Sequence, residues 1–150
     1  MREVWKPNVT VAAVCERNGR FLLVEEETDA GLTLNQPAGH LERGESLTEA
    51  VIRETLEETA FHFRPEYLIG IYSWPHTVKD ITFLRFAFAG SVASHDASRQ
   101  LDAGIVRAIW LTETEIFREA PRHRSPLLVR CIEDFRSGRK YPLKLLVHYS

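Results

Sequence analysis

The sequence predicts an α/β fold of the α+β kind, in which helices cover a mixed β-sheet. Three observations predict it: an early β-hairpin, one long acidic helix, and a run of apolar strands before a further helix. The chain has 150 residues, of which 44% are hydrophobic, and this is enough to bury the core of one domain. Because no linker, repeat or low-complexity stretch interrupts it, we expect residues 1–150 to form a single domain.

The first elements form the hairpin. Asn8–Cys15, rich in Val and Ala, is predicted as a strand, and Phe21–Glu26 is predicted as the returning strand. The Asn18-Gly19 pair between them predicts a tight turn, because both residues tolerate a positive φ. Leu34–Gln36 is predicted as a short strand that the following proline ends.

The clearest helix is predicted over Ser46–Thr59. Ser46 and Glu49 have the spacing of a capping box, in which each side chain accepts a hydrogen bond from the backbone of the other residue. The remaining predicted elements are the strands Tyr67–Trp74, Ile81–Ala89 and Ile105–Leu111, a polar loop at Ser94–Gln100, and helices at Thr114–Glu119 and Leu127–Ser137.

Charge and hydropathy exclude several classes of partner. The net charge is −2 and the pI is near 6.3, whereas proteins that bind a nucleic-acid polymer usually carry an excess of basic residues. No apolar run approaches the roughly 20 residues that span a bilayer, and Met1–Pro7 has no apolar signal core. We therefore expect a cytoplasmic protein with no membrane contact, and we expect Cys15 and Cys131 to be buried thiols.

Six glutamates lie within residues 42–58. One interpretation is a solvated helix face with ion pairs, since Arg53 lies four residues from two of them. On a helical wheel, however, Glu54 and Glu58 lie on the stripe that Leu47 begins, with Glu57 beside it. Two inward carboxylates one turn apart are costly unless a cation lies between them. Clustered carboxylate oxygens favour Mg²⁺ or Mn²⁺ over Zn²⁺, so the helix is predicted to carry a metal site for a phosphate-bearing ligand.

The segments Gly39–Glu45 and Arg53–Phe61 resemble the Nudix box, G-x5-E-x7-R-E-U-x-E-E-x-G-U, where U is a bulky aliphatic residue. Every charged position of that 23-residue pattern is present. Two positions depart from it. Thr55 stands where a bulky aliphatic residue is usual, and Ala60 replaces the second glycine, where a left-handed conformation would cost alanine about 1 kcal/mol.

The resemblance to the Nudix hydrolases, a MutT-like family, implies an α/β/α sandwich around a mixed β-sheet and a Mg²⁺-dependent enzyme, with Mn²⁺ as a substitute. The implied metal ligands are Glu54, Glu58, Glu57 and the carbonyl of Gly39. The implied catalytic set is Glu45, Arg53 and Glu57. In that set Arg53 orients the glutamates, and Glu45 positions or deprotonates the attacking water.

A second resemblance extends from about Lys6 to about Leu143 and points to the NudJ-type Nudix phosphatases. Its segments are Lys6–Val11, Asn35–Glu42, Phe83–Phe86, Arg124–Leu127, Ser137–Arg139 and Tyr141–Leu143. It implies a small-molecule phosphoanhydride substrate: a nucleoside diphosphate or triphosphate, or the pyrimidine pyrophosphate of thiamine metabolism. Orthophosphate would be released.

Five further residues are candidates for contact with the ligand. Trp74 is a platform for an aromatic ring or a rim residue, and Arg85 faces either solvent or phosphate. Gln36 and His40 flank the metal loop, where His40 is either a substrate contact or a hydrogen-bonded loop histidine. Asp102 is a candidate for one more carboxylate at the metal site.

Two alternatives to this function stay open. One is a Nudix pyrophosphohydrolase that cuts a nucleotide sugar or a dinucleotide into two phosphorylated products. The other is a non-catalytic Nudix module that senses a nucleotide. Retention of every glutamate of the motif favours the enzyme. Nothing in the sequence indicates the oligomeric state.

Overall fold

The computed structural model describes residues 2–150 and consists of two β-sheets with helices on both sides. The strands are β1 (Asn8–Val14), β2 (Glu16–Arg17), β3 (Arg20–Thr28), β4 (Gly31–Asn35), β5 (Ala38–His40), β6 (Phe61–His76), β7 (Ile81–His95) and β8 (Ile105–Thr112). The helices are α1 (Leu47–Thr59), α2 (Glu113–Arg118) and α3 (Leu127–Arg136).

The first sheet has the strand order β5-β1-β7-β6. It is mixed, because β1 runs parallel to β7 while the β1–β5 and β6–β7 pairs are antiparallel. In the second sheet, β3 pairs with β2, β4 and β8. β8 lies on the side of β3 away from β4, and all pairs of this sheet are antiparallel. Most pairs join distant parts of the chain, as the predicted order of elements requires.

Two apolar cores lie on opposite sides of the sheets. One core packs α1 against the first side through Ala50 and Val51. The other packs α2 and α3 against the opposite side through Ile116, Leu128 and Ile132. This layering confirms the predicted mixed α/β fold with helices on both faces. Within residues 2–150, the structure contains no helix with the length and apolarity to cross a membrane.

Several predicted details are confirmed. Asn18 and Gly19 have φ values of 53° and 78°, as the hairpin turn requires. Ser46 caps α1 through the predicted capping box with Glu49. Cys15 and Cys131 are buried free thiols.

Several predicted strand boundaries are wrong. The strand predicted over Leu34–Gln36 is Gly31–Asn35, paired to β3. Ala38–His40 forms an additional short strand, held by antiparallel pairing to β1. The strand predicted over Tyr67–Trp74 begins at Phe61, directly after the helix. The predicted loop Ser94–Gln100 begins later than expected, because β7 continues to His95, which pairs with Phe61. In each case long-range pairing with a neighbouring strand extends the element beyond its local signal.

Candidate active site

The start of α1 sets the direction of the acidic helix. The Ser46 hydroxyl accepts a hydrogen bond from the Glu49 amide at 3.0 Å, and the Glu49 carboxylate accepts one from the Ser46 amide at 3.1 Å. Glu49 is thereby committed to the cap, so it does not form the ion pair with Arg53 that its spacing allowed. Arg53 is left to face the other glutamates.

Arg53 joins the two halves of the motif. Its Nε and Nη2 atoms donate to the two Glu45 oxygens at 2.6 and 3.0 Å. Its Nη1 atom donates to Glu54 at 2.8 Å and to Glu57 at 3.1 Å, and Nη2 also donates to the His40 carbonyl at 2.9 Å. One guanidinium therefore fixes the loop that precedes α1 and two glutamates of the helix.

The hydrogen bonds between Arg53 and Glu45 shift the pKa values of these two residues in opposite directions. The hydrogen bonds from Arg53, opposed by partial burial, hold the pKa of Glu45 below its usual value. The same pairing, with Glu45 contributing most, raises the pKa of Arg53. Both Glu45 oxygens are engaged by Arg53, so this pair ties the loop before α1 to the helix.

Glu54 and Glu58 turn toward the protein interior, as the helical wheel predicts. Glu58 is only 9% exposed, and its Oε1 accepts a hydrogen bond from the Ala38 amide at 2.9 Å. Burial is the main cause that raises the pKa of Glu58 to about 8, and the carboxylates of Glu54, Glu26 and Asp102 add to it. Burial likewise raises the pKa of Glu54. Inward carboxylates with raised pKa values form a place where a cation is stabilising.

The donor set fits a hard divalent cation. Oxygens of Glu54, Glu57 and Asp102 lie within 4.8 Å of one another. Asp102 belongs to the loop after β7, and its amide donates to the Glu57 carbonyl at 3.0 Å, which ties this loop to the end of α1. Gly39 lies directly against the carboxylate of Glu54. Carboxylate and carbonyl oxygens without nitrogen or sulfur are the ligands that Mg²⁺, Ca²⁺ and Mn²⁺ prefer.

A cavity of about 350 Å³ opens beside these glutamates. Glu54, Glu58 and Gly39 line one part of it. Another part is aromatic: the Trp74 and Phe83 rings stack with their centroids 5.6 Å apart and an interplanar angle of 27°. The remaining lining side chains are mainly polar, namely Thr10, Glu26, Asn35, His40, Glu42, His76, Lys79, Arg85, Arg124 and Ser125. The cavity therefore offers a carboxylate-rich part and a flat apolar surface to the same ligand.

The structure brings most residues singled out in the sequence to this place. His40, Trp74 and Arg85 line the cavity, while Gln36 does not and lies buried beside Arg85, with its Oε1 3.5 Å from Nη1 of Arg85. Thr10 lines the cavity without having been predicted there, because nothing in a Val-rich strand marks one threonine as a site residue.

Comparisons with known proteins agree with this geometry. The NUDIX domain family model matches residues 4–130. Phosphatase NudJ of Escherichia coli (strain K12) is 39% identical over 143 residues, which cover 95% of this chain and 92% of that protein.

Solved structures show the same architecture. A NUDIX hydrolase from Nitrosomonas europaea has a TM-score of 0.94 and 52% identity, with 96% of this chain and 98% of that chain covered. The NUDIX domain of Shewanella oneidensis NrtR, solved in complex with ADP ribose, shares the fold at a TM-score of 0.73 and 17% identity, with 89% of each chain covered. The chain therefore belongs to the Nudix family and is an enzyme that acts on phosphoanhydride bonds.

Proposed function

We propose that this protein is a Mg²⁺-dependent phosphatase that removes orthophosphate from a nucleoside diphosphate or triphosphate, or from the pyrimidine pyrophosphate of thiamine metabolism. The observation that carries the proposal is one cavity with buried glutamates in one part and stacked aromatic rings in another. The 39% identity to proteins named phosphatase NudJ supports the release of orthophosphate. The whole of residues 1–150 acts as one Nudix domain on a small molecule, with no nucleic-acid polymer as partner.

The metal is held by the inward glutamates of α1. Glu54 and Glu58 are the principal ligands, Glu57 assists, and the Gly39 carbonyl contributes one more oxygen. Asp102 adds a carboxylate from the loop after β7, supported by its place beside Glu54 and Glu57. Bound there, Mg²⁺, or Mn²⁺ in its place, supplies positive charge to the phosphate oxygens and to the leaving group.

Arg53 and Glu45 position this set. Arg53 holds Glu54 and Glu57 in fixed rotamers through its Nη1 atom, and its bidentate pair with Glu45 fixes the guanidinium itself. Small errors of position at a reacting centre are expensive, since a displacement of about 1 Å can cost a factor of about 100 in rate. Arg53 acts through the carboxylates that it holds, and Glu45 acts through Arg53.

Glu57 accepts the proton in this proposal. Only its Oε2 oxygen contacts Arg53, and its side chain is 26% exposed, against 12% for Glu54. A water molecule attacks the terminal phosphorus, its proton passes to Glu57, and the bond from that phosphorus to the bridging oxygen breaks. The bridging oxygen leaves with the remaining phosphate chain, and orthophosphate is the other product.

The group beyond the phosphates lies on the aromatic part of the cavity. Trp74 is half-buried and lines the cavity beside Phe83, where its ring provides an aromatic surface for a planar heterocycle. His40 is the last residue of β5 and lines the cavity beside Gly39, where its ring can donate to a phosphate oxygen.

Phosphorus NMR of the products tests the proposal. The protein is incubated with Mg²⁺ and, separately, with nucleoside diphosphates and triphosphates, thiamine-pathway pyrophosphates, ADP-ribose and a dinucleotide. Orthophosphate from the simple diphosphates and triphosphates, lost in Glu58→Gln or with a chelator, supports it. Glu133→Gln, an exposed glutamate on α3, serves as the matched control and should retain activity.

The two alternatives predict different spectra. Two monophosphates from ADP-ribose or from the dinucleotide, with no orthophosphate from nucleoside diphosphates, would replace the phosphatase by a pyrophosphohydrolase. Tight binding of one ligand without turnover of any would leave a sensor.

A further inference from the structure

We propose that Arg85 and Thr10 form a polar floor of the cavity that recognises a carbonyl oxygen on the ring of the substrate. This deepens the proposed function and rests on it for one point only, that the phosphates lie beside Glu54 and Glu58. Within the proposed substrates, a heterocycle with an oxo group is preferred over one with an amino group at the same position. Nucleotides with an oxo-bearing ring are therefore favoured over the pyrimidine pyrophosphate, whose ring carries an amino group.

The two residues are neighbours across the first sheet. Thr10 of β1 pairs with Arg85 of β7 in the parallel register, so their side chains leave the same face of the sheet, roughly 5 Å apart. Thr10 is 5% exposed and Arg85 is 7% exposed, and both line the cavity. Within residues 2–150, neither the Oγ1 atom of Thr10 nor the Nε atom of Arg85 has a hydrogen-bond partner. Two adjacent buried groups at the base of a cavity are therefore left for a ligand to satisfy.

The charge of Arg85 is also left without a close counter-ion. In the described part of the chain, its side-chain contacts are Gln36, 3.5 Å away, and the thiol of Cys131. Burial raises the pKa of that thiol, so it stays neutral, and Glu58 acts on Arg85 only through longer-range attraction. Burial in turn lowers the pKa of Arg85, and the positive charge of Arg124 adds to this effect. An uncompensated buried guanidinium destabilises a fold, and its position at the cavity indicates a role in binding.

The register places these donors next to the aromatic surface. Phe83 precedes Arg85 by two residues on β7, and Trp74 pairs with Phe83 across β6 and β7, so all three side chains lie on one face. Alternate residues of a strand are roughly 7 Å apart, about the width of a heterocycle. A ring stacked on Trp74 and Phe83 would therefore direct one edge toward Arg85 and Thr10. This favours a ring atom over a phosphate oxygen as the partner of Arg85.

The hydrogen-bonding groups of Arg85 and Thr10 determine which ring edge can bind there. Arginine has donors only, in a planar fork that matches two adjacent acceptors such as a carbonyl oxygen and a ring nitrogen. The Thr10 hydroxyl can add one more hydrogen bond to the same edge. An amino substituent would place its donors against those of Arg85, and a buried donor without a partner is strongly rejected.

Calorimetry with ligands that are not hydrolysed tests the inference without any need for turnover. The α,β-methylene diphosphates of inosine and adenosine share the N7 acceptor but differ at C6, oxo against amino, and in the proton that inosine carries on N1. Methylenediphosphonate carries no ring. With Mg²⁺ and the wild-type protein, the inosine compound should bind about tenfold or more tightly than the adenosine compound. In Arg85→Met the two affinities should come within about twofold of each other, while binding of methylenediphosphonate stays unchanged.

Arg124→Met is the matched control, because Arg124 lines the same cavity but is already paired with Glu26. It should retain the preference for the inosine compound. Thr10→Val, which keeps the shape of the side chain, should weaken the preference, and this variant carries the test if Arg85→Met does not fold. The melting temperature of Arg85→Met should equal or exceed that of the wild type, because the variant removes a buried unpaired charge.

Three results would overturn the inference. The wild type binds both nucleotide analogues equally, or the preference survives in both Arg85→Met and Thr10→Val, or methylenediphosphonate loses as much affinity as the inosine compound. The last result would show that Arg85 binds phosphate. A protein that binds with the stated preference but hydrolyses nothing would refute the proposed function and leave this inference standing.

Discussion

The carboxylate of Glu54 lies directly against the backbone of Gly39. A β-carbon on residue 39 would stand 2.0 Å from Cδ of Glu54 and 2.2 Å from its Oε2. Glycine at position 39 therefore lets β5 approach Glu54 of α1 closely. The spacing of the motif reflects this contact between two segments that are 15 residues apart.

Gly39→Ala is expected to damage activity far more than stability. The added methyl group meets the flexible end of Glu54, which can turn away at little cost in folding free energy but then leaves its place in the site. We expect kcat/KM to fall by roughly 10- to 100-fold, with a melting temperature close to that of the wild type. A variant that unfolds at much lower temperature, or one with full activity, would contradict this account.

Arg53→Lys tests whether activity requires the planar guanidinium group of Arg53 or only its positive charge. Lysine keeps the positive charge but cannot donate to Glu45, Glu54 and Glu57 at once. We expect kcat to fall by roughly 100-fold while circular dichroism shows the native fold, because the carboxylates lose their fixed positions. Arg130→Lys on α3 is the control: Arg130 makes a single-helix ion pair with Asp134, and the change should leave kcat within about twofold.

Stability without metal should depend on pH through Glu58. Burial raises the pKa of Glu58 to about 8 from 4.5, so between these values the unfolded chain releases a proton that the folded protein retains. The free energy of unfolding therefore falls as pH rises from about 5 to about 8, by on the order of a few kcal/mol. Urea titrations across this range, with a chelator present, measure the slope.

Two conditions should flatten that slope. Glu58→Gln removes the titrating group, and saturating Mg²⁺ compensates the charge of the carboxylate. Burial also raises the pKa of Glu54, so some dependence of the same sign should remain in the variant. Equal slopes in the wild type and in Glu58→Gln would show that Glu58 is not the origin of the effect.

Ala60→Gly should stabilise the protein. Ala60 ends α1 in the left-handed conformation, with φ of 63° and its amide bonded to the Leu56 carbonyl. Glycine adopts this conformation without steric cost, although it loses more backbone entropy on folding, and the net gain should be about 0.5–1 kcal/mol. Chemical denaturation measures it. The same substitution at Ala97, an exposed loop residue outside the left-handed region, should give no gain.

Features with local physical causes were predictable from the sequence. The Asn18-Gly19 turn follows from φ preferences, and the start of α1 follows from a serine and a glutamate three residues apart. The inward direction of Glu54 and Glu58 follows from helical periodicity alone. Thr55, which departs from the motif, is fully buried on α1, and its hydroxyl donates to the Val51 carbonyl, so this face accepts a small polar residue.

Features that depend on long-range pairing were not predictable. β5 is three residues long and contains a glycine, and it exists because β1 offers partners for Ala38, Gly39 and His40. β6 passes through Pro65, which locally opposes a strand, and register shifts beside this residue absorb the proline. The burial of Arg85 belongs to the same class, because it depends on where β1 and α3 lie relative to β7.

The hydrogen bond from the Asp102 amide to the Glu57 carbonyl has an evolutionary consequence. It joins the loop after β7, the kind of segment that diverges freely among relatives, to the helix that carries the proposed metal ligands. Insertions or deletions between residues 96 and 102 would therefore act on the carboxylates as well as on the loop. A lineage that changed this loop to accept a new substrate would have to preserve the length that keeps Asp102 beside Glu57.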